Sequence, residues 1–578
     1  MPLIAIAAAC AAVLLLAYAV YGRLLSRLLR LDRSRAVPAI AERDDVDFVP
    51  LDRTSLLSQH FSAIAAAGPI VGPILAGAMF GWAPALLWIL LGAIFIGGVH
   101  DLTALLASVR HRARSIAEVV RQYMTPRAYL LFLAFIWLAL VYVVVAFTDI
   151  TASSFVGALP LENGQSVLGG GIATSSLLYL LLPIAMALLM RYTRLRLAAA
   201  TAIFLPLVGL AIWAGQHAPL DLERWLGLSA PATHRLWNVL LLAYCFVASI
   251  APMWLLLQPR GHLGGYFLFL ALAGGALGLA VGGQTAQYPA FIGWHSLGGQ
   301  PLFPLLFITI ACGACSGFHA LVASGTTSKQ LRCETHARPI AYGGMLLEGM
   351  VAVISLACVM MLPANSPHLT RSGGPQPNFL YANGIGTFLQ VLGVPLSFAV
   401  SFALMAFTTF VYDTLDVCTR LGRYVLQELL GAHGRVGRFV ATALTIGVPL
   451  VLLLQAPEQG GKVVPIWREF WGLFGASNQL LAALTLVGVT VWLWRTRRQV
   501  WVWYVTGLPA AFMYVVSTWE LLRIISVRWA NNQMNSAVPW VAAVLVGLAL
   551  LMLVEAVRVF ARGEPPSDSE QLLAPATA

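Results

Sequence analysis

Charge is what this chain has least of. Only 10% of its 578 residues are Asp, Glu, Lys or Arg, against about 25% in soluble domains, while 59% are hydrophobic. That balance excludes a water-soluble globular protein. Long polar stretches are missing as well: the longest are residues 22–58 and the acidic, Pro-containing tail after Arg562. No sizeable soluble domain is therefore expected, and the tail is read as disordered. Cysteine is scarce and odd in number, seven residues mostly within apolar runs, which argues against a disulfide framework. The first apolar run, residues 2–21, lacks a basic segment before it, and its basic residues follow instead. It reads as a retained helix, not as a cleaved secretory signal. Nothing in the sequence calls for a cofactor.

What the chain has in quantity is apolar runs long enough to cross about 30 Å of hydrocarbon. Helices satisfy their own backbone groups in that setting, and the strict alternation of a barrel strand is absent. The expected fold class is an all-α integral membrane protein with about 15 transmembrane helices. With the N-terminus outside, most of the 35 Lys and Arg residues fall in cytoplasmic segments, among them Arg110, Arg112, Arg114, Arg191, Arg194, Arg196, Arg495, Arg497 and Arg498, as the preference of basic residues for the inner face requires. The C-terminus is then cytoplasmic. The net charge of +11 reflects this topology and contact with anionic lipid, not nucleic-acid binding.

Two spans are interrupted. In "AIAAAGPIVGPILAGAMFG", Ala63 to Gly81, the residues Gly68, Pro69, Gly72 and Pro73 remove backbone donors and lower helix propensity at mid-span. In "GACSGFHALVASGTTSK", Gly313 to Lys329, the residues Ser316, Gly317, His319, Ser324, Gly325, Thr326 and Thr327 crowd a segment that must still cross. A kink accommodated by neighbouring helices explains either one alone. Together they run in opposite directions, and broken helices at matching places of oppositely oriented halves mark inverted-repeat secondary transporters with the binding site at the break. The expected division is an N-terminal helix and cytoplasmic loop (1–58), a first inverted repeat (59–215), two inserted helices (216–299), a second inverted repeat (300–493), two C-terminal helices (494–562) and the tail (563–578). The third helix of each repeat carries a hydroxyl-rich acidic end, "FTDITASS" at Phe147 to Ser154 and "FTTFVYDTLD" at Phe407 to Asp416.

Five segments, "HFSAIAAAGPIVGPILA" (His60 to Ala76), "SGFHALVASGTTSKQL" (Ser316 to Leu331), "ARPIAYGGMLLEG" (Ala337 to Gly349), "DTLDVCTRLGRYVLQE" (Asp413 to Glu428) and "FWGLFGASNQLLAALTL" (Phe470 to Leu486), resemble the carbon starvation protein A (CstA) family. The resemblance implies a nutrient transporter of the bacterial cytoplasmic (inner) membrane, associated with peptide uptake on carbon starvation and with pyruvate uptake. It also implies a distant relation to the amino acid, polyamine and organocation transporters and their five-plus-five, LeuT-like inverted-repeat core. The segment "GGVHDLTALL" departs from the pattern with His100 where Gln is expected, and the chain is shorter than many members.

Unwound backbone at membrane depth turns free N–H groups and positive half-helix ends toward an anion and carbonyl oxygens toward a cation. For a small carboxylate or a peptide C-terminus, the expected binding residues are Gly68, Pro69, Gly72, Gly317, His319 and Gly325, with Ser316, Ser324 and Thr326 as hydroxyl donors. By resemblance to sodium-coupled relatives, Thr408 and Thr409 join backbone carbonyls near Ala65 and Gly68 around Na⁺; the alternative is that both threonines bond to their own helix. Proton coupling instead needs a carboxylate near the midplane, and Glu348 lies about 15 Å into its span. Asp101, Asp149 and Asp413 read as solvated groups near helix ends, and Asp416 with Arg420 as a helical ion pair. His319 binds substrate, relays a proton or fills a polar core position.

The spacing of Cys312, Cys315 and His319 places three soft ligands on one helical face, but packing is the commoner role of such cysteines and no metal is assigned. Haem between His60 and His100 is weaker still. Ser477, Asn478 and Gln479 read as interhelical hydrogen-bond formers or gate contacts. The partners expected are a small-molecule substrate, H⁺ or Na⁺, and membrane lipid. The chain is not expected to be an enzyme; the competing reading is a membrane metal- or haem-binding redox subunit, and a third is a starvation sensor without flux.

Overall fold

The apolar runs fold as helices from end to end. The computed structural model describes residues 1–44, 48–161, 166–193, 195–252, 254–370, 375–432, 434–459 and 462–562, so the tail expected to be disordered lies outside the described residues. Thirteen helices among the described residues are long and apolar enough to cross a membrane. In chain order, with the shorter helices that shape the site, they are α1 (Leu3–Leu28), α2 (Arg53–Ile64), α3 (Gly68–Phe80), α4 (Trp82–Arg110), α5 (Pro126–Ser153), α6 (Gly169–Thr193), α7 (Leu197–His217), α8 (Ala230–Ile250), α9 (Leu257–Val281), α10 (Leu302–Thr309), α11 (Gly317–Gly325), α12 (Glu334–Met360), α13 (Pro377–Val391), α14 (Leu396–Leu430), α15 (Arg435–Leu454), α16 (Ile466–Arg497), α17 (Trp503–Ala530) and α18 (Ala537–Ala561). The pair α2 and α3 makes one further bent span, with 48° between its halves. Helices α10 and α11 are each too short to cross alone and together form the second interrupted span.

Both interruptions sit a few residues N-terminal of the places expected from sequence. Helix α2 ends at Ala65, where ψ is 72°, and α3 begins at Gly68. The reason lies in Pro69. It has no N–H to offer the carbonyl of Ala65, its ring crowds that carbonyl, and in the first turn of a helix neither defect matters. Gly68 and Pro69 therefore open α3 instead of breaking it, and Gly72 and Pro73 lie inside it. Likewise the second break is residues 310–316, and the segment from Gly317 to Gly325, expected to be unwound, is helical.

Helices α5, α12, α14 and α16 are the most buried and form the centre, while α1, α7 and α15 stand at the periphery with apolar faces open to lipid. Two small antiparallel pairs, Ala158–Pro160 with Ser166–Leu168 and Glu458–Gln459 with Lys462–Val463, occur in loops.

One face carries a buried ionic group. On the face away from the N-terminus, buried Glu334 is held by Arg35 at 3.0 Å, by Arg110 Nε at 2.8 Å and by the backbone N–H of Asp32 at 2.8 Å. Near this face Asp52 caps α2, accepting the N–H groups of Thr54 at 2.9 Å and Ser55 at 3.0 Å. Partial burial raises the Asp52 carboxyl, but hydrogen bonds from Ser55 and Thr54 outweigh it and hold the group below its ordinary range.

Candidate functional site

The two interrupted spans meet at their breaks. A Cβ on Gly68 would stand 2.3 Å from Cys312 Sγ, and one on Gly72 would stand 2.3 Å from the Thr309 carbonyl oxygen, so α3 lies against residues 309–312 because both positions lack a side chain. Gly317 allows the same close approach on the other side, since its Cβ would come within 2.5 Å of the Asn478 carbonyl oxygen on α16.

The half-helices begin differently. Ser316 precedes α11 but makes no side-chain cap. Asn478 of α16 supplies one: its Oδ1 accepts the N–H of Phe318 at 3.0 Å, and its Nδ2 lies 3.0 Å from Ser316 Oγ and 3.4 Å from Cys312 Sγ. The N-terminus of α3 carries no side-chain cap. Gln479 donates to the Phe307 carbonyl of α10 at 2.6 Å, so α16 holds both halves of the second broken span.

One turn into α11 is His319, fully buried between two carboxylates. Its Nδ1 is 2.8 Å from Asp101 Oδ2 on α4, and its Nε2 is 3.0 Å from Glu348 Oε2 on α12. Asp101 Oδ1 is also 2.8 Å from His100 Nδ1. His319, Asp101 and Glu348 have no solvent exposure, and a charge at that depth persists only with a partner. An imidazolium at His319 would match one of the two carboxylates, and a single proton on either carboxyl would neutralise the other.

The other residues expected from sequence fall in different places. Ser324 and Thr326 bond back to Ala320 at 2.7 Å and Val322 at 2.9 Å, so their hydroxyls serve their own helix. Gly325 lies at the far end of α11 from the break. Ala65 ends α2, its N–H on Phe61. Thr408 bonds to the Met405 carbonyl at 3.0 Å and meets Ser176 of α6 at 3.0 Å. Thr409 Oγ1 is buried with no hydrogen-bond partner among the described residues. His60 Nδ1 meets Thr327 Oγ1 at 2.9 Å, which ties α2 to the end of α11.

Several sequence expectations are corrected by the burial pattern. Asp101, Asp149 and Asp413 are not solvated; Asp149 accepts the N–H of Trp467 at 2.9 Å and caps α16. Asp416 does not pair with Arg420. Its partner is Arg260 of α9, while Arg420 donates to the carbonyls of Ala248 at 2.7 Å and Ala251 at 2.8 Å at the end of α8. Cys312, Cys315 and His319 do not share a helical face, because residues 310–316 are not helical. Among the described residues no group of three or more His, Cys, Asp and Glu side chains is arranged to hold a metal ion.

Arg260 was not legible as a site residue. It sits in the first turn of α9, which begins at Leu257 and buries it completely. The signal available was an arginine directly followed by the small, close-packing run "GHLGG".

The geometry is that of a multi-pass membrane protein with two interrupted helices around a buried ionic group. The sequence matches the family described as "Carbon starvation protein CstA" over residues 2–372 and 365–520. Among curated relatives, the peptide transporter CstA of Campylobacter jejuni is 32% identical, covering 94% of this chain and 82% of its own length. The pyruvate/proton symporter BtsT of Escherichia coli K12 is 32% identical, covering 92% and 82%, and the peptide transporter CstA of Bacillus subtilis 168 is 31% identical, covering 89% and 88%. Among solved structures, MhsT in complex with L-phenylalanine aligns with 89% of the chain and 99% of its own at 13% identity and a TM-score of 0.48. The chain belongs to the carbon starvation protein CstA family and is a membrane transporter, not an enzyme.

Proposed function

We propose that the chain is a proton-coupled symporter that imports a small carboxylate, a short peptide or a pyruvate-like acid, across the bacterial cytoplasmic membrane, and that it serves nutrient uptake when carbon is scarce. The observation that carries this reading is the His319–Asp101–Glu348 group at the meeting of two interrupted helices. The uncapped start of α3 offers backbone N–H groups and the positive end of a helix dipole to a carboxylate. The printed names of the relatives, peptide transporters and a pyruvate/proton symporter, share that carboxylate and, in the second, the proton.

Na⁺ coupling through Thr408, Thr409, Ala65 and Gly68 is the second reading. It draws on the unpartnered Thr409 hydroxyl, and against it stands the Thr408 hydroxyl already engaged by Ser176 and Met405.

Two features support a sidedness for this reading. The face bearing Glu334, Arg35 and Arg110 fits the basic cytoplasmic side, which agrees with an N-terminus outside. A cleft of about 750 Å³ opens toward the N-terminal face and reaches Thr309 at the second break, between Leu75, Met79, Trp471 and Arg523. On the basic side the space between α2, α11 and α14 shrinks to about 20 Å³. The arrangement suits a carrier open outward and closed inward.

Packing supports a division into repeats that differs from the one obtained by counting spans. Helix α3 lies against α12 as α11 lies against α4, α9 against α14 as α16 against α5, and α8 against α5 as α15 against α14. Asp149 near the end of α5 caps α16, and Asp413 on α14 grips the first turn of α9 through Arg260. We therefore assign α2–α5, α8 and α9 to the first repeat and α10–α12 and α14–α16 to the second, with α6 and α7 inserted after the third helix. Counting along the chain cannot distinguish an insertion after the third helix from one after the fifth.

Substrate counterflow in proteoliposomes tests the transport reading: exchange of labelled pyruvate or a labelled dipeptide is expected, and binding without exchange would make the protein a sensor.

A further inference from the structure

A second ionic group joins α9 to α14, and its charges do not balance. Asp413 and Asp416 stand nearly one turn apart on α14 and share one cation, Arg260, whose Nε is 2.5 Å from Asp413 Oδ1 and whose Nη2 contacts Asp416. Arg260 also donates to the hydroxyl of Tyr244, which donates to Asp416 Oδ2 at 2.9 Å. Arg260 is without exposure, Asp413 is 4% exposed and Asp416 is 2% exposed. One guanidinium against two carboxylates leaves a buried negative charge, which is costly at membrane depth.

The group is built around the inner half of the first broken span. Ser62 of α2 donates to Asp413 Oδ2 at 2.5 Å. Helix α9 makes room for the contact with Gly264, whose Cβ would stand 2.6 Å from Asp413 Oδ2 and 2.7 Å from Ser62 Oγ. Beside Asp413 is a space of about 20 Å³ bordered by Gln59, His60, Thr327 and Gln330, room for about one water. Around the group, α2 presents His60, α6 presents Tyr179, α8 presents Tyr244 and Cys245, α9 presents Arg260, and α14 itself presents Tyr412, Asp416, Cys418 and Arg420. Arg420 is committed to the carbonyls of Ala248 and Ala251.

We propose that Asp413 is a second proton-binding site, separate from the His319–Glu348 group, and that it latches α2 to α14. With Asp413 ionised, its carboxylate accepts charge-assisted bonds from both Ser62 and Arg260, and the inner half-helix is held closed. A proton bound at Asp413 removes the charge that both bonds depend on, neutralises the group and lets α2 part from α14 toward the basic face. The inference rests on the reading of the chain as a proton-coupled carrier and adds a gate to it.

The test follows the opening of α2 without any substrate. A cysteine placed at Gln59, in a Cys333→Ser background, is reacted with a polar maleimide in nanodiscs at mildly acidic and mildly alkaline pH. Because maleimide attacks the thiolate and is intrinsically slower in acid, each rate is divided by that of free glutathione at the same pH, and this normalised labelling is expected to be at least about fivefold faster in acid. In Asp413→Asn, which mimics the protonated group, it is fast at both pH values, and in Ser62→Ala, which leaves the charges in place, it is also raised in alkali. Glu348→Gln keeps the pH dependence, because it alters the other group. Labelling independent of pH in the parent, or unchanged pH dependence in Asp413→Asn and Ser62→Ala, overturns the proposal. Because no substrate is present, a failure of the transport reading shows in the counterflow experiment and not here.

Discussion

His319 Nδ1 stands 2.8 Å from Asp101 Oδ2, joining α11, the second half of one broken span, to α4. The same imidazole reaches Glu348 on α12 through its other nitrogen, so three helices are tied by one titratable ring. Movement of α11 must break or remake those contacts, which is how proton occupancy and helix position become linked.

Glu348→Gln removes the proton-accepting carboxyl while keeping its size. The variant is expected to retain counterflow and to lose accumulation driven by an inward proton gradient. Comparing the two assays on one preparation checks this, and accumulation equal to the parent's takes Glu348 out of the coupling step.

His319→Ala removes the ring between Asp101 and Glu348 and leaves Glu348 without its partner. Breaking a buried pair in this way costs about 3–5 kcal/mol unless the carboxylates take up protons. Thermal unfolding in detergent is expected to shift strongly downward at neutral pH and to recover in part toward acid, where the carboxylates can neutralise.

Much of this was legible in the sequence, for reasons that differ by residue. The interrupted spans show because Gly68, Pro69, Gly72 and Pro73 contradict the helix around them, and the end-on parallel between Asp149 and Asp413 shows in the two hydroxyl-rich segments. Their exact breaks do not, because Pro69 acts on the carbonyl four residues earlier and displaces the interruption toward Ala65. Glu348 shows as a carboxyl in mid-span, whereas Asp101 does not, since its burial depends on how α4 packs against α11. Arg260 is invisible for the same reason: whether an arginine at a helix start snorkels or is buried is decided here by Asp413 and Asp416 of α14, which lie far away along the chain.

Gly68→Ala places a methyl group on Cys312, within 2.3 Å of its Sγ, and is expected to abolish substrate binding with protein still present in the membrane. Gly325→Ala meets only the flexible end of Leu421 at 3.0 Å, so binding within about twofold of the parent is expected. Equal losses at both positions would show that the break itself has no special part in binding.

Asp52→Ala removes the cap of α2 and is expected to cost about 1 kcal/mol. Because the folded carboxyl lies below its unfolded value of about 3.9, the stabilisation is present above that pH and is lost as pH falls through the lower, folded value. Thermal stability of parent and variant should therefore differ at neutral pH and converge in strong acid.

Movement of a small carboxylate together with protons is tested by uptake of labelled pyruvate and of a labelled dipeptide into proteoliposomes, with pH and sodium gradients imposed separately. Accumulation of at least one of them is expected under an inward proton gradient without sodium, and Glu348→Gln is expected to abolish it. Accumulation that requires a sodium gradient and ignores the pH gradient would rule out proton coupling.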